Sequence, residues 1–323
     1  MIAIILIGLA AGCASALMFA STMSGALISL VLSMLAPLPL MLAALGWGPL
    51  SATIGGIAAA SGFIAIFGMS YGIAFAIAVA LPAWWLGHLA LLGRPVPARE
   101  SGGRAPSAQD NIEWYPIGRI LLWIAVIAIL SSFASWLVIG KDDASIAAAL
   151  RSGLTKVLST RDGLTSGDIE RLADAFVAIF RALATMLVVT TLALNLWLAA
   201  KIAATSGRLR RPWPDLKSTE LPPMTLVALC VTLAFCFAGG TVSIAAQIMA
   251  AALLMVYGLV GLAVVHTLTL RANSRAFLLT GTYGALVLLP WTIILMTVLG
   301  LADAIFGLRQ RYLRGKPPPL PAA

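Results

Sequence analysis

Residues 2–92 contain no Lys, Arg, Asp or Glu. Ninety-one uncharged and mostly apolar residues cannot supply a solvated surface, so the surroundings of this stretch are hydrocarbon. There every backbone N–H and C=O must be paired within the chain, which leaves helices or closed barrels. Barrel strands read as short segments of alternating hydrophobicity. Here the apolar runs are unbroken, so helices are the solution, and at roughly 20 residues per crossing the stretch supplies about four. The whole chain agrees, being 61% hydrophobic and only 10% charged, with a mean hydropathy of +1.00. Soluble domains carry roughly 25% charged residues. The sequence predicts an all-α polytopic membrane protein.

Breakers divide the first stretch. Ser21-Thr22-Met23-Ser24-Gly25 ends a first helix near Ala20, and Pro37 and Pro39 break or kink the second. Gly46-Trp47-Gly48-Pro49 and Gly68-Met69-Ser70-Tyr71-Gly72 read as turns. The fourth helix contains Pro82 and ends near Leu92, with Trp84, Trp85 and His88 close to its end. Paired tryptophans suit a membrane interface. The chain then reads as an uncharged bundle over 1–92, a hydrophilic cytoplasmic loop over 93–116, a second membrane region over 117–308, and a basic, Pro-rich tail over 309–323. Spans in the second region fall at 117–139, 176–200, 222–238 and 242–270, followed by an apolar run at 277–302 with Pro290 at its middle. Within 141–175, Ile146, Leu150, Leu154, Val157 and Leu158 form a stripe, which predicts an amphipathic helix or helix pair on the outer surface.

The net charge is +9, concentrated in short loops. Segments near 93–119, 201–220, 271–275 and 309–316 carry +1, +3, +2 and +4, whereas 141–174 carries −1. Cytoplasmic loops of membrane proteins are enriched in Lys and Arg, so the basic loops belong inside and 141–175 outside, with no need of a nucleic-acid partner. Counting runs gives nine spans, yet 271–275 and 309–316 are both basic and belong on one side. Either the run between them breaks at Pro290 into two half-helices of a re-entrant hairpin, or the tail departs from the charge rule. About eight or nine transmembrane helices are expected, with about eight full crossings and cytoplasmic termini the favoured arrangement. Cys13, Cys230 and Cys236 lack metal or disulfide spacing. Leu9-Ala10-Ala11-Gly12-Cys13 has the look of a lipoprotein cleavage site but lacks the charged region before it, so the first helix is expected to be retained.

No phosphate-binding loop, metal motif or pair of intramembrane acids occurs, so neither catalytic residues nor a metal or cofactor are expected. Asn195, Gln247, His266 and Asp303 lie within the apolar runs. Polar groups there are costly unless paired, so each is either a ligand-binding candidate or a helix–helix hydrogen bond. For Asp303 the plain alternative is an ion pair with Arg309 or an arginine of 271–275. Arg208, Arg210 and Arg211 precede Pro212-Trp213-Pro214, a composition that suits anionic headgroups or simply fixes topology. On the first helix Gly8 and Gly12 share a face with Ser15 and Phe19, and Ala10 and Ala14 form a second small pair. Small residues permit close backbone approach, for internal packing or for docking another membrane protein.

Gly258-Leu-Val-Gly-Leu-Ala-Val-Val-His266 and Gly300-Leu-Ala-Asp-Ala-Ile-Phe-Gly-Leu-Arg309 resemble the YybS-like family of bacterial membrane proteins, a domain of unknown function. The run from Asn195 to Leu216, with Ser206-Gly207-Arg208-Leu209 and Arg211-Pro212-Trp213-Pro214, resembles its alphaproteobacterial members. The resemblance implies a multi-pass protein of the bacterial inner membrane. The N-terminal part, through Pro37-Leu38-Pro39, Gly48-Pro49 and Gly55-Gly56, resembles the S subunits of energy-coupling-factor vitamin transporters. That implies an S-component-like N-terminal bundle whose Ala10–Ala14 face docks a coupling subunit. S subunits lack the material after residue 92 and the segment 141–175. Three functions follow as expectations. The first is non-enzymatic binding of a small or amphiphilic solute as a transport subunit, with a separate ATPase. The second is a structural or regulatory protein contacting anionic lipids or an envelope complex. The third is a lipid-directed enzyme using Asp303 and His266 as acid and base.

Overall fold

A computed structural model describes residues 1–24, 26–95, 112–138, 148, 152, 166–213, 215, 219–289 and 291–314. The chain forms two compact units, Met1–Trp213 and Pro214–Ala323. Among the described residues seven helices are long and apolar enough to cross a membrane, or eight if a bent pair near the C-terminus counts as one span. The protein is therefore an all-α polytopic membrane protein. Most of loop 93–116, most of 141–165, Pro290 and the tail beyond residue 314 lie outside the described residues.

In the first unit α1 (Ile2–Ala20) gives way to a 3-10 turn, Ser21–Ser24, whose first two hydroxyls donate back to the Met18 and Phe19 carbonyls. Helices α2 (Leu27–Met34) and α3 (Pro37–Trp47) form one broken span. Pro37 and Pro39 have no N–H to continue the ladder, and the Leu38 amide donates to Leu35 O, three residues back. The Met34 carbonyl is thereby left without its helical donor. Helix α4 (Pro49–Phe67) lies between Gly48 at φ +101° and Gly68 at φ +94°, values open to a residue without Cβ. Helix α5 (Met69–Phe75) passes through a π turn, Ala76–Ala80, into α6 (Leu81–Ala90). The wider turn sits where Pro82 cannot donate. Strands β1 (Gly93–Pro95) and β2 (Ile112–Trp114) pair antiparallel, with an Arg94–Glu113 ion pair of 2.7 Å across them.

Helices α1 and α4 pack in parallel through small residues. Gly8 lies against Ser51 and Gly55, and Gly12 against Gly55; a Cβ on any of these glycines would meet a facing backbone carbonyl. The Gly8–Gly12 stripe therefore serves packing inside the bundle, and its face is occupied by α4. Ala10 lies on the exposed side of α1 with Leu6, Leu9 and Leu17, and Ala14 is half-buried.

Helix α7 (Ile117–Val138) precedes α8 (Ser166–Thr205), whose forty residues extend about 60 Å. That is twice the ~30 Å hydrocarbon thickness. No Gly or Pro falls between Asp168 and Ser206, so nothing interrupts the ladder. Residues 166–175 accordingly form the first turns of this helix, where the sequence suggested the end of a separate surface segment.

The second unit is built on α10 (Gly240–Leu268), which is largely buried and follows the short α9 (Met224–Phe235). After a 3-10 turn, Thr269–Arg271, come α11 (Arg275–Leu288), α12 (Thr292–Phe306) and α13 (Leu308–Arg314), with a 64° bend between the last two. Helices α10 and α12 meet at glycines. A Cβ on Gly261 would strike Met296 O, and one on Gly300 would strike Tyr257 O. The Thr297 hydroxyl donates across the same contact to Leu254 O at 3.2 Å.

At 14 and 15 residues, α11 and α12 are about 21 and 22 Å long, too short to cross singly. The Arg271 guanidinium lies 4.7 Å above the Tyr312 ring. The chain that leaves α10 at Arg271 is thus back at the same level by Tyr312. Helix α11 leads away from that level and α12 leads back to it, which is the geometry of a re-entrant hairpin. Both basic stretches, 271–275 and 309–314, then share one side, as the charge rule requires.

Candidate functional site

Four in-span polar residues were candidates for ligand binding, and each has a protein partner. Asn195 is fully buried on α8; its Nδ2 donates to Met34 O at 2.8 Å and to Thr191 O at 2.7 Å. It supplies the donor that the proline break removed from Met34, the usual way a broken membrane helix is tolerated. Gln247 Nε2 donates to Ser243 Oγ at 3.1 Å, and that hydroxyl donates to Cys236 O, closing the turn between α9 and α10. His266 Nε2 meets the Tyr283 hydroxyl at 2.8 Å.

Asp303 is buried with Arg309. One carboxylate oxygen accepts the Arg309 backbone N–H at 2.8 Å, and the other accepts Nε at 2.8 Å and Nη2 at 2.7 Å. Arg309 Nη2 also donates to Thr219 O at 2.7 Å. Gly307, in the left-handed region at φ +63°, turns the chain so that the arginine can fold back. The ion pair expected for Asp303 is formed, and the cluster ties the end of the hairpin to the segment entering α9. Asp303 and His266 have separate partners, and no shared contact unites them as an acid–base pair. Among the described residues no three His, Cys, Asp or Glu could hold a metal ion.

A different group of residues converges at one end of the first unit. Helix α8 stops at Gly207, φ +65°, where the Arg208 and Leu209 amides both donate to Ala203 O. The chain is then held against the ends of its neighbours. The Arg208 guanidinium lies 4.9 Å above the Trp47 ring at the end of α3, and Arg211 Nη1 donates to Ala90 O at the end of α6, at 3.4 Å. Lys201 Nζ lies 5.1 Å above the Trp213 ring. Burial pulls the Arg211 guanidinium below its ordinary pKa, yet an arginine stays charged throughout the accessible range. Among the described residues no carboxylate pairs with Arg208, Arg210 or Arg211, and Arg210 is exposed.

Aromatic rings complete this end. Trp85 and Trp123 meet edge to face with centroids 5.1 Å apart, and Trp123 Nε1 donates to the Tyr115 hydroxyl at 3.3 Å. Trp84 and Trp85 both lie beside His88. The Nε1–H groups of Trp85 and Trp114 are buried without a partner among the described residues. The result is a face of positive charge over indole rings, a composition that suits a membrane–water boundary. Sequence reading located the cations, Trp213 and the Trp84–Trp85 pair. It missed Trp47 and the Ala90 carbonyl, whose partners lie more than a hundred residues away and leave no local signal.

Residues 13–304 match the family described as "Predicted membrane protein (DUF2232)". No curated protein and no solved structure matches the chain.

Proposed function

The chain belongs to the DUF2232 family of membrane proteins, and on that premise we propose that it acts without catalysis, engaging anionic lipid headgroups through the Arg208–Trp213 face. The observation that carries this reading is the arrangement of that face. Arg208 and Lys201 are seated on indole rings while Arg210 is exposed, and no acid on the described surface neutralises the three arginines. The excess of basic residues in this loop supports a cytoplasmic position, where anionic lipids attract juxtamembrane basic groups.

Each such residue contributes about 1 kcal/mol near an anionic surface. Replacing Arg208, Arg210 and Arg211 together by glutamine should weaken the response to phosphatidylglycerol on the order of a hundredfold. Thermal stabilisation of the detergent-solubilised full chain, by phosphatidylglycerol against phosphatidylcholine, measures it. Arg210→Gln alone should weaken the response roughly fivefold without touching a packed contact, and the wild-type preference should fade as salt rises. An unchanged preference and salt dependence in these variants would end the proposal.

A second reading has its own support. Ser15 Oγ and Asn195 Oδ1 are fully buried in the first unit without partners among the described residues, as polar groups awaiting a small solute would be. The S-subunit resemblance of the N-terminal part suggests a transport subunit, and the exposed Ala10 side of α1 remains open for a coupling partner. Under this reading an ATPase co-purifies with the tagged chain in mild detergent, and Ala10→Leu reduces its recovery at least tenfold. Recovery of the single polypeptide from both forms would dismiss it.

A further inference from the structure

Helix α11 is the least packed helix of the second unit. None of its residues is buried, and Phe277, Val287 and Leu288 are 79%, 81% and 79% exposed. Arg275, Leu279, Tyr283 and Val287 recur every four residues along one row, with Thr280, Gly284 and Leu288 in the next. Between these rows runs an open groove of about 510 Å³, lined by Leu279, Thr280, Tyr283, Gly284, Val287 and Leu288. Gly284 makes the depression, because nothing lies within 4 Å of where its Cβ would stand.

The groove has two chemically distinct ends. From Leu279 to Leu288 its lining is almost wholly apolar, and the Tyr283 hydroxyl is already engaged by His266. At its head stands Arg275, exposed and without a carboxylate partner among the described residues; Asp303, the only acid after Glu220, is taken by Arg309. Arg271 adds a second positive charge just before it, seated on the Tyr312 ring. Arg275 and Leu288 are separated by about 20 Å along the helix, and Arg275 belongs to the basic stretch at the hairpin's mouth. A cation at the interface heading an apolar trough of that length is complementary to an anionic amphiphile.

We propose that the outer face of the hairpin holds one anionic phospholipid, its phosphate at Arg275 and an acyl chain in the groove over Gly284. This site shares no residue with the Arg208–Trp213 face, and the proposal does not rest on that face. Native mass spectrometry of the full chain, exchanged into detergent with phosphatidylglycerol or phosphatidylethanolamine, tests it. Besides any lipid held at the Arg208–Trp213 face, wild type should retain one phosphatidylglycerol per chain at collision energies that strip phosphatidylethanolamine. Arg275→Gln, which leaves the helix unaltered, should lose that preference roughly fivefold, the equivalent of about 1 kcal/mol for one basic residue. Gly284→Leu, which fills the trough, should lose both lipids. Replacement of Arg208, Arg210 and Arg211 by glutamine should leave the retained lipid in place. If Arg275→Gln keeps the preference, or Gly284→Leu keeps the lipid, the site does not exist. If only the triple replacement removes it, the lipid belongs to the other face.

Discussion

Leucine at Gly261 is expected to prevent recovery of folded protein, while alanine at Gly62 is expected to be harmless or mildly stabilising. Both glycines are helical, but only one is a packing surface. A Cβ at Gly261 would be driven into Met296 O, whereas nothing lies within 4 Å of one at Gly62. Overpacking into side chains costs about 1–3 kcal/mol. Here the obstacle is backbone, so the cost lies at or above that upper figure, with loss of folded protein on the order of a hundredfold. At Gly62 the added methyl gains about 0.5–1 kcal/mol of helix preference. Yield of monodisperse protein and its melting temperature in detergent read both changes, and Gly300→Leu should behave as Gly261→Leu does. A Gly261→Leu protein that melts with wild type would show that α10 and α12 do not touch through their backbones.

The buried ion pair gives the second large effect. Arg309→Met removes the partner of Asp303 and strands a carboxylate among apolar groups, which costs about 3–5 kcal/mol. Asp303→Leu strands the guanidinium in the same way. Replacing both by apolar residues leaves neither charge exposed to hydrocarbon, so the double variant should be more stable than either single one. Melting of the four proteins forms a double-mutant cycle, and additive losses would mean that the two groups act independently. Loss of the Thr219 contact adds to Arg309→Met alone, since only the arginine reaches that carbonyl.

Much of the architecture was written in local chemistry. The uncharged run fixed the solvent, and Ser21, Pro37, Gly48 and Gly68 stand at helix breaks because missing donors and positive φ angles act within a few residues. The Asp303–Arg309 pair was readable for a similar reason, since only five residues, one of them a glycine, lie between them and other acids are lacking nearby. Partner choice was not readable. Gly8 and Gly12 announce close approach but not which helix approaches, and the answer lies 43 residues away at Ser51 and Gly55. Asn195 reads as a costly amide until Met34, 161 residues earlier, is seen to lack a donor. The polar first turns of α8 hide its full length in the sequence, because ladder continuity depends on the absence of Gly and Pro, not on hydropathy. The charge conflict allows two answers, and the Arg271–Tyr312 contact fits the re-entrant hairpin.

That hairpin also bears on how the polypeptide is made. A chain that enters and leaves by one face never has to drag Arg275, Arg309, Arg311 or Arg314 through the bilayer, each worth about 2.5–3.5 kcal/mol at mid-depth. The α11–α12 hairpin can therefore seat itself from one side, without any machinery that threads polar sequence to the far compartment.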